Sequence, residues 1–235
     1  MTTPLFLLPG LLCDEHVWAP QVAALSDRAE IFISSFYGFD SLGAMAASVL
    51  ARAPARFSLA GHSMGGRVAF EIFRQAPERV ERLALLDTGA HGVQPGEAEQ
   101  RQVLMDVARI EGMLALGKAW LPPMLHPDRV SDQSLMAPLM AMICRATPDI
   151  YFGQIRALLN RPDAALLLSQ IRVPTAFIVG RQDSWSPVSQ HETLAASVRG
   201  ATLTIIEACG HMSTVERPRE VTRALADWLA RAPTA

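Results

Sequence analysis

Ser58-Leu59-Ala60-Gly61-His62-Ser63-Met64-Gly65-Gly66-Arg67 reads as a strand that enters a sharp turn and leaves it as a helix. Phe57 to Ala60 are apolar or small, and Val68, Ala69 and Ile72 continue an apolar helical pattern after Gly66. This context gives meaning to the G-x-S-x-G pattern Gly61-His62-Ser63-Met64-Gly65. A serine at the apex of such a turn takes an unfavourable backbone conformation, and its neighbours two residues away must be small for strand and helix to pass closely. Gly61, Gly65 and Gly66 meet that demand, so Ser63 is the candidate nucleophile. The backbone N–H of Met64, left free at the positive end of the helix, can stabilise an oxyanion.

The 235 residues are long enough for one domain with an inserted segment, and half of them are hydrophobic. A net charge of −2 with no basic cluster excludes nucleic acid and anionic membranes as main partners. What remains is a small-molecule substrate, handled by a monomer or homodimer. The first basic residue is Arg28, no charged segment precedes the apolar run Leu5 to Leu8, and no apolar run is long enough to span a bilayer. A cytoplasmic location is therefore expected. Cys13, Cys144 and Cys209 are odd in number, far apart and without metal-ligand spacing, so reduced thiols and no metal site are expected.

Along the chain, Leu5 to Leu8 form a short apolar run ended by Pro9-Gly10, as in a strand buried on both faces of a parallel sheet. Asp14 is placed to cap a helix through Trp18, Val22 and Leu25, and Ile31 to Ile33 read as the next strand. Asp40-Ser41 precede Leu42, Met45, Ala46, Val49 and Leu50, whose spacing predicts an amphipathic helix. The helix after Ser63 should stop near Ala76-Pro77, and Leu83 to Leu86 supply another strand. Between about Thr88 and Gln170 the alternation of strands and helices gives way to helices broken by prolines. This segment, 88–170, is expected to be a helical cap inserted into a core of 1–87 and 171–235. Strand patterns resume at Thr175 to Val179 and at Thr202 to Ile206. Ser186 is expected to cap a helix starting at Pro187, the last helix buries Val221, Leu225, Trp228 and Leu229, and the tail 232–235 should fray.

A serine hydroxyl needs a base within hydrogen-bond reach and a third group that orients the base. Of the six histidines, His211 alone follows a strand directly in a loop, at the carboxyl edge where open α/β sheets place their sites. His62 is expected to point off the other side of its strand, and His16, His91, His126 and His191 fall in helices, in the cap or outside the sheet. Asp183 and Asp87 both end strands at the same edge, and either could orient the imidazole.

With these residues in view, the chain resembles the α/β-hydrolase superfamily over nearly its full length, in the order serine, acid, histidine. Gly180-Arg181-Gln182-Asp183 with Ser186-Pro187 resembles the family's acid loop and favours Asp183 over Asp87. Cys209-Gly210-His211-Met212 with Glu216-Arg217-Pro218 resembles its histidine loop. Leu8-Pro9-Gly10-Leu11-Leu12 resembles its oxyanion loop, with Pro9 in place of the usual histidine, which implies Leu11 N–H as the second oxyanion donor. The resemblance implies an α/β fold with an open, parallel, twisted sheet of about six strands, helices on both faces, and the family's first two strands missing. It implies ester or lactone hydrolysis through Ser63, Asp183 and His211 without a cofactor. Ser63-Met64-Gly65-Gly66-Arg67 also resembles a menaquinone-pathway synthase, a lyase with the same triad, in which Arg67 would bind a substrate carboxylate. The blander expectation for Arg67 is a side chain snorkelling out from the helix. A non-catalytic ligand-binding protein on the same fold is the third reading. The cap carries seven basic and eight acidic residues without a cluster and six of the ten methionines, which predicts ordinary methionine packing and an apolar pocket for neutral acyl chains.

Overall fold

The computed structural model describes residues 3–233, so residues 234 and 235 of the expected frayed tail lie outside the described residues. Six strands, β1 (Thr3–Leu8), β2 (Ala29–Ile33), β3 (Phe57–His62), β4 (Val80–Leu86), β5 (Thr175–Gly180) and β6 (Thr202–Ile206), form one sheet in the order β2-β1-β3-β4-β5-β6. Every pairing is parallel. The central strands β3 and β5 are buried at every position, which is why their sequences are largely apolar, with Ser58, His62 and Thr175 as buried polar exceptions. The edge strand β2 alternates between buried and exposed residues instead.

Parallel neighbours need crossovers, and helices supply them. They are α1 (Ala19–Leu25), α2 (Leu42–Leu50), α3 (Met64–Gln75) and α9 (Val188–Ala196), while α10 (Ser213–Glu216) and α11 (Pro218–Leu229) follow the last strand. Between β4 and β5 the chain instead runs through α4 (Glu97–Ile110), α5 (Met113–Trp120), α6 (Gln133–Arg145), α7 (Pro148–Leu159) and α8 (Ala165–Leu168). Helix α1 packs with α11 and α2 with α3, so the sheet is covered on both faces. Trp18, Phe6, Phe57, Phe177 and Trp228 are fully buried, and the Trp228 indole N–H donates to the Pro174 carbonyl at 3.0 Å. Each such side chain contributes roughly 1.5–3 kcal/mol of burial.

The helix near Pro187 departs from its sequence expectation. Helix α9 starts at Val188 with Pro187 at the cap, and Ser186 makes no capping bond. Asp183 Oδ1 accepts the N–H groups of Trp185 and Ser186 at 2.8 and 2.9 Å. The aspartate thus folds the loop around itself and delays the helix.

Candidate active site

Strand β3 ends at His62 and α3 begins at Met64, so Ser63 must turn the chain by itself. It does so at φ 53°, ψ −115°, a conformation that side chains rarely take. The surroundings hold it there: Ser63 N–H donates to the Leu86 carbonyl at 2.9 Å, and the Thr88 hydroxyl donates to the Ser63 carbonyl at 2.7 Å. A Cβ at Gly65 would overlap the Leu8 carbonyl oxygen, and one at Gly61 would overlap the carbonyl of Gly65. The small residues flanking the serine are thus a steric requirement of the tight strand–helix crossing.

The structure brings Ser63, His211 and Asp183 together. His211 Nε2 lies 2.8 Å from Ser63 Oγ, and His211 Nδ1 lies 2.8 Å from Asp183 Oδ2. Burial disfavours an imidazolium at His211, but the charge and hydrogen bond of Asp183 outweigh it and hold the pKa above the ordinary histidine value. Burial likewise works against the Asp183 carboxylate. The charge and hydrogen bond of His211, with the two loop N–H groups, reverse this and keep it below the usual aspartate value. Backbone bonds fix the histidine loop: His211 N–H donates to the Met124 carbonyl at 2.7 Å, and buried Glu216 accepts from Gly210 N–H and His126 N–H.

Asp87 is fully buried at the end of β4 and faces elsewhere. It accepts from Gly180 N–H at 3.0 Å and from the Ser213 hydroxyl. Burial, then the neighbouring Asp183 charge, pushes its pKa well above the aspartate norm. A histidine that the sequence reading set aside stands beside it. His62 Nε2 is 2.7 Å from the His211 carbonyl oxygen and 3.6 Å from Asp87 Oδ2. Burial and the nearby His211 lower its pKa to about 4, so His62 is a neutral donor bracing the histidine loop. Its position directly before the serine was the available signal.

Leu11 and Met64 both line the cavity beside Ser63, and neither backbone N–H has an acceptor among the described residues. Leu12 N–H is engaged by Gln154 Oε1 at 2.8 Å, so of Leu11 and Leu12 only Leu11 keeps an unpaired N–H among the described residues. Among the described residues no group of three or more His, Cys, Asp or Glu side chains is placed to hold a metal ion.

The cavity measures about 350 Å³ and is not the apolar pocket that the composition suggested. Leu11, Met64, Leu104, Trp120, Met124 and Leu158 share its wall with Arg67, Arg101, Arg161 and Glu97. Of the six methionines between residues 88 and 170 only Met124 borders it; Met105, Met113, Met136, Met140 and Met142 pack among the helices, as helical spacing implied. Arg67 does not snorkel outward. It is half-buried, with its guanidinium on the carbonyl and ring of His91. The three arginines come from segments far apart in sequence, so no local charge cluster announces them.

A model of the alpha/beta hydrolase family matches residues 5–224. The chain belongs to the alpha/beta hydrolase family. This alpha/beta hydrolase is 27% identical over 233 residues to the pimeloyl-[acyl-carrier protein] methyl ester esterase of Nitrosomonas europaea, a match covering 92% of the chain and 91% of the relative. Among solved structures it resembles a malate-bound thermophilic esterase from Thermogutta terrifontis, with a TM-score of 0.89 and 26% identity over 100% of this chain and 92% of that one. It also resembles an enol-lactonase from Burkholderia xenovorans LB400, with a TM-score of 0.88 and 26% identity over 98% and 93% of the two chains. No helix of the described residues is long and apolar enough to cross a membrane.

Proposed function

We propose that the protein is a serine hydrolase of small to medium carboxylic esters or lactones, working through an acyl-enzyme on Ser63. The observation that carries this reading is the unbroken hydrogen-bond chain from Ser63 Oγ through the His211 ring to Asp183, placed at a strained turn that opens on a cavity. His211 Nε2 takes the Ser63 proton as Oγ bonds to the ester carbonyl carbon, and the N–H groups of Leu11 and Met64 receive the oxyanion. Asp183 stabilises the imidazolium. The intermediate collapses by breaking the carbon–oxygen bond to the alcohol, which leaves with the proton from His211. Water then repeats the sequence: His211 takes its proton, hydroxide adds to the acyl carbon, and Ser63 departs with that proton. In a lactone the alcohol stays tethered to the product acid.

An esterase and an enol-lactonase among the similar proteins support the same bond class, since both names describe cleavage at an ester carbonyl. The test is a fluorophosphonate probe with intact-mass analysis, beside hydrolysis of simple esters. One adduct on Ser63, absent in Ser63→Ala, and loss of at least roughly a thousandfold in kcat for Ser63→Ala and His211→Ala are expected. Either variant keeping more than about a tenth of kcat would remove the triad from the mechanism.

A further inference from the structure

Two helices between β4 and β5 reach across to the loop after β1, the loop that carries Leu11. From α7, Gln154 is fully buried and divides one amide between two backbones: its Oε1 accepts the Leu12 N–H at 2.8 Å, and its Nε2 donates to the Phe36 carbonyl at 3.3 Å. From the last residue of α6, Arg145 donates to Asp14 Oδ2 through Nε at 2.8 Å and approaches it to 2.6 Å through Nη2. That ion pair is half-exposed on the arginine side and is the weaker tie. Leu12 and Gln154 are 142 positions apart, so the bond between them forms only once α7 is docked.

The loop has reason to need an outside anchor. Cys13 N–H donates to the Gly10 carbonyl at 3.2 Å, which closes a turn with Leu11 and Leu12 at its centre. Leu12 takes φ 60° there, a left-handed conformation that suits glycine and disfavours a residue with a Cβ. Left to itself, the turn relaxes by bringing Leu12 to negative φ, which rotates the peptide between Leu11 and Leu12. The Gln154 oxygen opposes that rotation, because it accepts the N–H of that same peptide. Leu12 is wholly buried, so turning its N–H away from Gln154 leaves a buried donor unpaired. Gln154 takes no part in lining the cavity, although Tyr151 and Leu158 on the same helix do. Its effect on the reaction therefore passes through the loop.

We propose that Gln154 is a positioning residue for the oxyanion site: it fixes the turn 10–13 so that the Leu11 N–H stands beside Ser63 before substrate arrives. The inference rests on the ester-hydrolase reading, in which Leu11 and Met64 receive the oxyanion. It makes the helices between β4 and β5 part of the catalytic apparatus as well as a wall of the cavity. Helix α7 sets the oxyanion loop, as the Met124 carbonyl holds the His211 N–H on the other side.

The test is made on the full chain. Gln154→Met keeps most of the side-chain volume and removes the amide. It should lower kcat for a simple ester by roughly 10- to 100-fold, with KM changed by less than about threefold. The inhibition constant of an alkyl trifluoromethyl ketone, whose adduct with Ser63 carries the oxyanion, should rise by a similar factor. Fluorophosphonate should still label Ser63 fully, though more slowly, and circular dichroism should stay native. Gln154→Glu gives the sharper readout. As a neutral acid it accepts from Leu12 and donates to Phe36, as glutamine does; ionised, it sets a negative charge against the Phe36 carbonyl. Its kcat divided by that of the wild type, a ratio that removes the titration common to both, should fall as pH rises from about 6 to about 10. Wild-type kcat and inhibitor affinity in Gln154→Met, or a loss confined to KM, would overturn the positioning role while leaving the hydrolase standing. Should Gln154→Met lose its native circular dichroism, a ratio for Gln154→Glu that stays flat with pH would overturn it instead. A wild-type protein that neither hydrolyses esters nor takes the probe would overturn the ester-hydrolase reading, and the positioning role with it.

Discussion

His62 Nε2 lies 2.7 Å from the backbone carbonyl oxygen of His211, so the residue before Ser63 supports the loop that carries His211. The two rings sit 5.4 Å apart, centroid to centroid, and the His62 imidazole is almost wholly buried. This contact ties the end of β3 to the loop after β6, which the sheet order keeps three strands apart. His62→Ala should therefore lower kcat by roughly 10- to 100-fold through misplacement of His211, with KM changed far less. His62→Gln, which retains an N–H donor of similar reach, should recover part of the loss. Wild-type kcat in His62→Ala would show that the loop holds its position without this bond.

The two histidines have opposite pKa shifts, and opposite consequences follow. His211 must be neutral to accept the serine proton, and its pKa is raised, chiefly because Asp183 overcomes the cost of burial. The rising limb of kcat/KM against pH should thus have its midpoint above the ordinary histidine value of 6.5, and Asp183→Asn should move it down. His62 is depressed from 6.5 to about 4 by burial and by His211. The unfolded chain binds a proton there before the folded one, so this contribution to stability is complete above pH 6.5 and is lost as pH falls toward 4. Chemical denaturation between those pH values should show the decline, and His62→Gln should flatten it.

Two aspartates compete for one role, and their contacts separate them. Asp183 touches the His211 ring at 2.8 Å, while Asp87 serves Gly180 N–H and the Ser213 hydroxyl. Asp183→Asn is expected to cost up to roughly four orders of magnitude in kcat by offering the wrong partner to the imidazole N–H. Asp87→Asn should be far milder in kcat, because its neighbours are backbone and hydroxyl groups rather than the reacting ring. The opposite ranking in steady-state assays would reassign the orienting acid.

Thiol chemistry should not govern activity. All three cysteines are free; Cys13 and Cys209 are buried and Cys144 is exposed. Burial and the adjacent Asp14 charge push the Cys13 thiol up to about 12, and burial raises Cys209 as well. Iodoacetamide on the native protein should alkylate Cys144 alone and leave ester hydrolysis intact, with all three sites modified after denaturation. Loss of activity in step with alkylation, read by peptide mass spectrometry, would reveal a thiol with an unassigned role.

The sequence by itself determined the turn around Ser63, because glycine spacing and strand-to-helix patterning report local sterics that act over a few residues. The strands were legible as short, largely apolar runs: β3 and β5, buried at every position, carry few polar residues beyond Ser58, His62 and Thr175. Asp183 and His211 could be named from their places after β5 and β6, since a parallel sheet delivers all such loops to one edge. Two features were decided only by tertiary structure. The bracing role of His62 depends on a carbonyl 149 residues away. The resemblance of the loop 180–187 already favoured Asp183 over Asp87, and the structure shows the physical basis, since only the Asp183 carboxylate hydrogen-bonds the His211 ring. The cationic wall is assembled from Arg67 on α3, Arg101 on α4 and Arg161 just beyond α7, while composition averages their charge against acidic residues that never approach the cavity. Local sterics is written in neighbouring residues, but electrostatic potential in a cavity is a sum over groups that only folding brings within range.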